Sequence, residues 1–394
     1  MAEFEIPLSD LDYGPEEKAA VIRVLESQWL SMGPETKSFE EEFAAFVGTR
    51  HAKAVGSGTA ALHLSFLALG LQPGDEVIQP AVNFVAAANM THALRAVPVF
   101  GDIISLDEPN LDPGEVERLI TPRSRAVVVM HYGGYPCRMA EMVALCRKHN
   151  LVLVEDACHA VGAKYHDQHG QPPHGLMAGN LADIACFSFF SNKNIAVGEG
   201  GMVTTNRDDL AEKIHHLRSH GMSSLTWERH RGHAASYDVL LNGYNYRIDD
   251  LRSALGRAQL AKLSRNNQRR RELSFRYWEN LSLLEKFGWV LPYKTKTEVY
   301  ESGGAAAHLL PIVAPNPELR WRCAKLMQTA GIQTSLHYPF IPHFSGFKSD
   351  NKNQELPHSL AFCANVITLP LYPNLANEQV EIVSKELIAQ GCSV

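Results

Sequence analysis

The sequence predicts an α/β protein with helices on both faces of a mostly parallel sheet, a three-layer αβα arrangement followed by a smaller C-terminal α+β part. Three observations carry this expectation. Short apolar runs of strand length recur at 76–79, 97–100, 126–131, 151–154, 184–188 and 202–205. Segments of helical spacing lie between most of them, at 60–69, 84–94, 113–119 and 139–149. The runs are apolar throughout rather than alternating, as strands covered on both sides are.

The elements follow in order. Residues 16–27 have helical spacing, with Ala20, Ile22, Val24 and Leu25 among the apolar positions, and a second helix is expected over 35–46. The strand–helix alternation occupies 60–205. From 249 to about 284 the pattern turns long, charged and helical, and it includes Arg269-Arg270-Arg271. Beyond it the sequence predicts a strand over 308–313, helices over 317–330 and 377–390, and a loop at Glu301-Ser302-Gly303-Gly304. The boundary is placed near residue 255, giving a large cofactor-binding domain at 1–255 and a small domain at 256–394.

Composition excludes several classes. With 394 residues, 45% of them hydrophobic and 20% charged, the chain is neither a disordered tail nor a coiled coil. Its 37 Lys and Arg against 43 Asp and Glu give a net charge of −6, which opposes binding to a nucleic-acid backbone. No apolar run approaches the ~20 residues of a membrane span, and the start Met1-Ala-Glu-Phe-Glu-Ile lacks signal-peptide character. Seven scattered cysteines without a C-x-x-C pair read as reduced thiols of a cytoplasmic protein. The histidines, though frequent, show no metal-site spacing, and no metal is assigned.

Three segments carry chemistry. Gly56-Ser57-Gly58-Thr59 opens a helix, where free N–H groups and the helix dipole favour an anion; a plain helix cap is the other reading. In Val152-Leu-Val-Glu-Asp156 a carboxylate ends a buried strand, where open α/β sheets place their ligands, although Asp156 could simply cap a helix. Cys186-Phe-Ser-Phe-Phe-Ser-Asn-Lys193 puts a lysine just past another strand, ahead of the glycine-rich Gly198-Glu-Gly-Gly201. Singly, each is unremarkable. An anion cradle, a strand-end Asp and a strand-end Lys in one parallel-sheet domain are together what a pyridoxal phosphate site requires: an amine to form a Schiff base and an acid to keep the pyridine nitrogen protonated.

The motifs resemble the DegT/DnrJ-type aminotransferases, fold type I enzymes that mostly transaminate keto sugars attached to nucleotides. The resemblance spans nearly the whole chain, through Trp29-Leu-Ser-Met-Gly-Pro34, Gly74-Asp-Glu-Val77, Glu155-Asp-Ala157, Asn192-Lys-Asn194, Gly243-Tyr-Asn-Tyr-Arg247, His337-Tyr-Pro339 and Leu369-Pro-Leu371. It implies Lys193 as the Schiff-base lysine, Asp156 as partner of the pyridine nitrogen, and His159 beside the phenolic oxygen. It also implies Phe84 as the stacking aromatic, and Gly58, Thr59 and Ser188 as phosphate contacts. Asn245 would reach the cofactor phosphate of a neighbouring subunit, so that a homodimer with shared active sites is expected. The implied reaction is ping-pong transfer of an amino group, with L-glutamate as donor and a nucleotide-linked keto sugar, or alternatively a cyclitol ketone, as acceptor. A same-fold sugar dehydratase would carry His in place of Lys193, and a non-catalytic regulatory protein would not need Lys193, Asp156 and Ser188 together.

For the acceptor, the sequence points to Met32, His230, Arg231, His337 and Tyr338. Two segments depart from expectation. Trp227-Glu-Arg-His-Arg-Gly-His-Ala234 clusters basic residues that could meet a diphosphate, although a solvated interfacial loop is the preferred reading. The histidine-bearing stretch 165–174 reads as a surface hairpin.

Overall fold

Prolines in the first turn open helices α1 (Pro15–Ser27) and α2 (Pro34–Val47), and left-handed residues, Gln28 and Gly48, end them. The computed structural model describes residues 4–166, 174–224, 236–296, 303–347 and 355–391. Next come β1 (His51–Val55), α3 (Gly58–Leu69), β2 (Glu76–Pro80), α4 (Ala86–Ala93), β3 (Val97–Gly101) and α5 (Pro113–Leu119). They are followed by β4 (Ser124–Met130), α6 (Met139–His149), β5 (Val152–Asp156), β6 (Ile184–Ser188), β7 (Gly201–Thr205) and α7 (Asp208–Leu217).

The strands form one seven-stranded sheet in the order β1-β7-β6-β5-β4-β2-β3. Strand β7 is antiparallel to both its neighbours, and the other pairings are parallel. The sheet is therefore mostly parallel, as the sequence predicts. Strand β1 was not anticipated. It lies at the sheet edge, and His51 and Lys53 stay partly exposed, so the segment lacks the continuous apolar character of its inner neighbours.

Successive side chains leave the sheet on opposite faces. Val127, Val129, Leu153 and Phe187 pack with Phe39 and Phe43 of α2 and Met142 of α6. Ala126, Val128, Val154 and Cys186 pack with Leu62 and Leu64 of α3 and Ile214 of α7. Both faces are thus dry, which accounts for the unbroken apolar runs.

Helix α8 (Asp250–Leu281) is 32 residues long, and its Asp249 cap accepts the N–H of Arg252. Leu263 belongs to the core under the large sheet, whereas Leu273, Tyr277, Trp278 and Leu281 belong to a second core. That second core is completed by β8 (Leu310–Val313), α9 (Pro317–Thr329), α10 (Pro357–Asn365), β9 (Val366–Leu369) and α11 (Asn377–Gly391). Strands β8 and β9 pair antiparallel. Helix α10 passes directly into β9 with no turn residue between them, which hid both from sequence reading.

Of the expected 165–174 hairpin, the flanks are described: Lys164 and Met177 form an antiparallel bridge, and residues 167–173 lie outside the described residues. No helix among the described residues is long and apolar enough to cross a membrane. Among those residues no group of three His, Cys, Asp or Glu side chains could hold a metal, and the cysteines at 137, 146, 158, 186, 323 and 363 are free.

Candidate active site

A cavity of about 420 Å³ opens at the C-terminal ends of β5 and β6 and the first turn of α3. Gly58, Thr59, Phe84, Asp156, His159, Ser188, Lys193, His337 and Tyr338 all line it. These residues come from segments far apart in sequence, and the parallel sheet gathers them by ending its strands on one edge.

At the α3 end, the Ser57 hydroxyl accepts the N–H of Ala60 at 3.1 Å and caps the helix. The first N–H groups of a helix have no partner within it, and Gly58 and Thr59 carry theirs at the cavity. Glycine is required here by close approach. A Cβ on Gly58 would stand 2.9 Å from Ser188 Cβ, and one on Gly201 would stand 2.5 Å from the Ser57 carbonyl oxygen. Backbone and small side chains of α3, β6 and β7 thereby form a narrow cradle.

Asp156 ends β5 and is buried. No helix follows it; its Oδ1 accepts the Cys158 N–H at 3.2 Å, and its Oδ2 accepts Asn83 Nδ2 at 3.3 Å. Asn83 also accepts the Phe84 N–H at 2.6 Å, so one side chain sets both the acid and the neighbouring aromatic. Phe84 is 54% exposed although apolar, and its ring lies 5.9 Å from that of Tyr338.

His159 is buried, and its Nε2 lies 2.8 Å from the Tyr338 hydroxyl. Burial, then the Lys193 and His337 charges, hold it well below the ordinary histidine range, so the ring is neutral. Its Nδ1 is buried without a hydrogen-bond partner. If Tyr338 donates into Nε2, the ring proton falls on Nδ1, which has no acceptor in the chain.

Lys193 sits in the loop between β6 and β7, its N–H bonded to the Phe190 carbonyl at 2.9 Å. Burial lowers the affinity of its amine for a proton, against the opposing pull of Cys158 and Asp156. Its Nζ lies 3.5 Å from His308 Nε2. His337 is brought down to about 4 by burial and by Lys193, and its Nδ1 lies 3.0 Å from the Thr368 hydroxyl. Tyr132 donates to the His337 carbonyl.

Four expected site residues lie elsewhere or outside the described residues. Asn245 is exposed, bridged to Ser219, and is not part of this cavity. Met32 is buried away from the cavity in the turn before α2, where Asp250 accepts the Gly33 and Thr36 N–H groups. His230 and Arg231 lie outside the described residues, as does the rest of the basic cluster. Conversely, sequence reading gives no role to Asn83 or to His308.

The cavity fits pyridoxal phosphate on three counts. It offers an amine with a strand-end acid, a buried ring nitrogen without a partner, and a cradle that a single Cβ would fill. This fold and this site define a pyridoxal phosphate-dependent aminotransferase. The chain belongs to the DegT/DnrJ/EryC1/StrS aminotransferase family, whose model matches residues 12–388. It is 38% identical over 381 residues to the spore coat polysaccharide biosynthesis protein SpsC of Bacillus subtilis, covering 94% of this chain and 93% of SpsC. Among solved structures, it resembles Helicobacter pylori PseC, an aminotransferase involved in the biosynthesis of pseudoaminic acid. The TM-score is 0.87 at 28% identity, over 100% of both chains. The PLP form of a putative sugar aminotransferase from Streptococcus pneumoniae matches with a TM-score of 0.85 at 26% identity, over 98% of each chain.

Proposed function

We propose that this chain binds pyridoxal phosphate in the cavity and moves an amino group from an amino acid, L-glutamate, to a keto sugar carried on a nucleotide. The reading rests on one observation: the Lys193 amine, the Asp156 carboxylate and the N-terminus of α3 converge on a single cavity. The relatives support the sugar, since the named ones act in polysaccharide and pseudoaminic acid biosynthesis. Bound there, the cofactor supplies an aldehyde that condenses with amines and a ring that stores an electron pair.

The chain's own residues do the rest. The first turn of α3, with the Thr59 and Ser188 hydroxyls, holds the phosphate. Asp156, fixed by Asn83 and the Cys158 N–H, keeps a proton on the ring nitrogen. His159 Nδ1–H donates to the phenolic oxygen, and Phe84 covers one face of the ring. Lys193 Nζ takes the donor's α-proton and returns a proton, and burial favours the neutral amine this needs. His337 and Tyr338 flank the acceptor.

Asn245 would serve the neighbouring subunit of a homodimer. In support, it stands exposed in a region that also exposes Tyr237, Val239, Leu240 and Tyr244, and clustered exposed apolar side chains mark interaction surfaces. We place the enzyme in the cytoplasm, where its donor and the free thiols of its cysteines are at home. A dehydratase is disfavoured by the lysine at 193.

The test is direct. Borohydride should fix the cofactor to Lys193, read by peptide mass spectrometry, and nucleotide keto sugars should discharge the aminated cofactor. A label on any other lysine removes the site; discharge by cyclitol ketones alone removes the sugar nucleotide.

A further inference from the structure

The Lys193 amine faces a histidine whose proton is placed by a chain of amides. Asn267 Nδ2 donates to the Val161 carbonyl at 2.9 Å, which leaves Asn267 Oδ1 to accept. Asn194 Nδ2 donates to that oxygen and to the Ala306 carbonyl, both at 2.8 Å. Asn194 Oδ1 is therefore an acceptor, and it lies 2.9 Å from His308 Nδ1. A carbonyl oxygen can only accept, so the two backbone carbonyls at the far end fix every direction in between. His308 must carry its proton on Nδ1, and its bare Nε2 lies 3.5 Å from Lys193 Nζ.

From this chain of contacts we infer that His308 is a positioning residue for Lys193: it takes one amine N–H on Nε2 and so leaves the nitrogen lone pair free toward the cavity. The opposite tautomer would donate into that lone pair and occupy the electrons a base needs. This inference rests on the proposed role of Lys193. The 3.5 Å separation is at the long end for such a bond.

The surroundings keep His308 from acquiring a second proton. It is buried, with Lys193 before it, the His159 ring 4.4 Å away, His337 near, and Arg270 of α8 donating to its carbonyl at 3.5 Å. Arg270 also donates to the Leu371 carbonyl at 2.8 Å and is buried as well. The acidic groups nearby, Asp156 and the Cys158 thiol, act on Lys193 rather than on His308.

Two measurements test the inference. In protein labelled with ¹⁵N-histidine, with and without pyridoxal phosphate, the His308 signal, assigned by its loss in His308→Gln, should show a proton on Nδ1 and a bare Nε2. A proton on Nε2 overturns the proposal, whatever the enzyme's substrate. Separately, exchange of the L-glutamate α-proton with heavy water should fall about 100-fold in His308→Phe, the scale of a misplaced reacting group. The variant should keep its affinity for pyridoxal phosphate, and His308→Gln, which retains an acceptor, should restore most of the exchange. Equal exchange in His308→Phe and the parent overturns the positioning role. Borohydride labelling away from Lys193 defeats the proposed function instead, so the two failures are distinguishable.

Discussion

At the scale of single residues, the site is built from bases held neutral. Burial is the first cause for His159, His308 and His337, and the Lys193 charge adds to it in each. In an unfolded chain these rings protonate near pH ~6.5. Their folded values are depressed, so the unfolded state takes up protons first as the pH falls. The stabilisation is complete above pH ~6.5 and is lost below it, for His337 down to about 4. Each ring contributes a slope of up to about 1.4 kcal/mol per pH unit within its window. Urea unfolding should therefore show lower stability at pH 5 than at pH 7, and His337→Asn should flatten the decline between pH 6.5 and 4. The same decline in the variant and the parent would show that His337 is not buried as a neutral base.

At the scale of elements, what matters is how closely α3, β6 and β7 approach. The Gly201 position leaves no room for a Cβ against the Ser57 carbonyl. Gly201→Ala should push β7 from the turn that opens α3, weakening cofactor affinity at least tenfold in an absorbance titration while leaving much of the far-ultraviolet dichroism intact. Unchanged affinity would mean that this turn does not hold the phosphate. Legibility follows the same lines. The inner strands, and with them Asp156 and Lys193, were readable because two dry faces leave continuous apolar runs. Strand β1 was not, because an edge strand keeps Lys53 partly wet. Asn83 and His308 were also unreadable: each acts through a partner more than 70 positions away, Asp156 for the first and Lys193 for the second, and no local pattern encodes such a meeting.

At the scale of the whole molecule, the partner subunit and the division of the chain come into play. If Asn245 completes a neighbour's site, mixing Lys193→Ala subunits with Asn245→Ala subunits should regain part of the activity, since one site of each hybrid dimer would be intact. Hybrid dimers that form, as native mass spectrometry would show, and yet remain inactive would place Asn245 outside any active site. We propose that the chain divides within α8, near residue 255, since the side chains of that helix pass from one core to the other between Leu263 and Leu273.

That helix has a mechanical consequence. It runs 32 residues without a proline or a left-handed residue, and it carries Asn267 and Arg270 behind the cavity. A hinge needs a residue that can swing its backbone; the glycine of this shaft, Gly256, is packed against the Phe39 ring, which leaves it no room to do so. The floor beneath the lysine is thereby braced from both cores at once, while the rim opposite it is drawn from loops, among them the one that bears Tyr338.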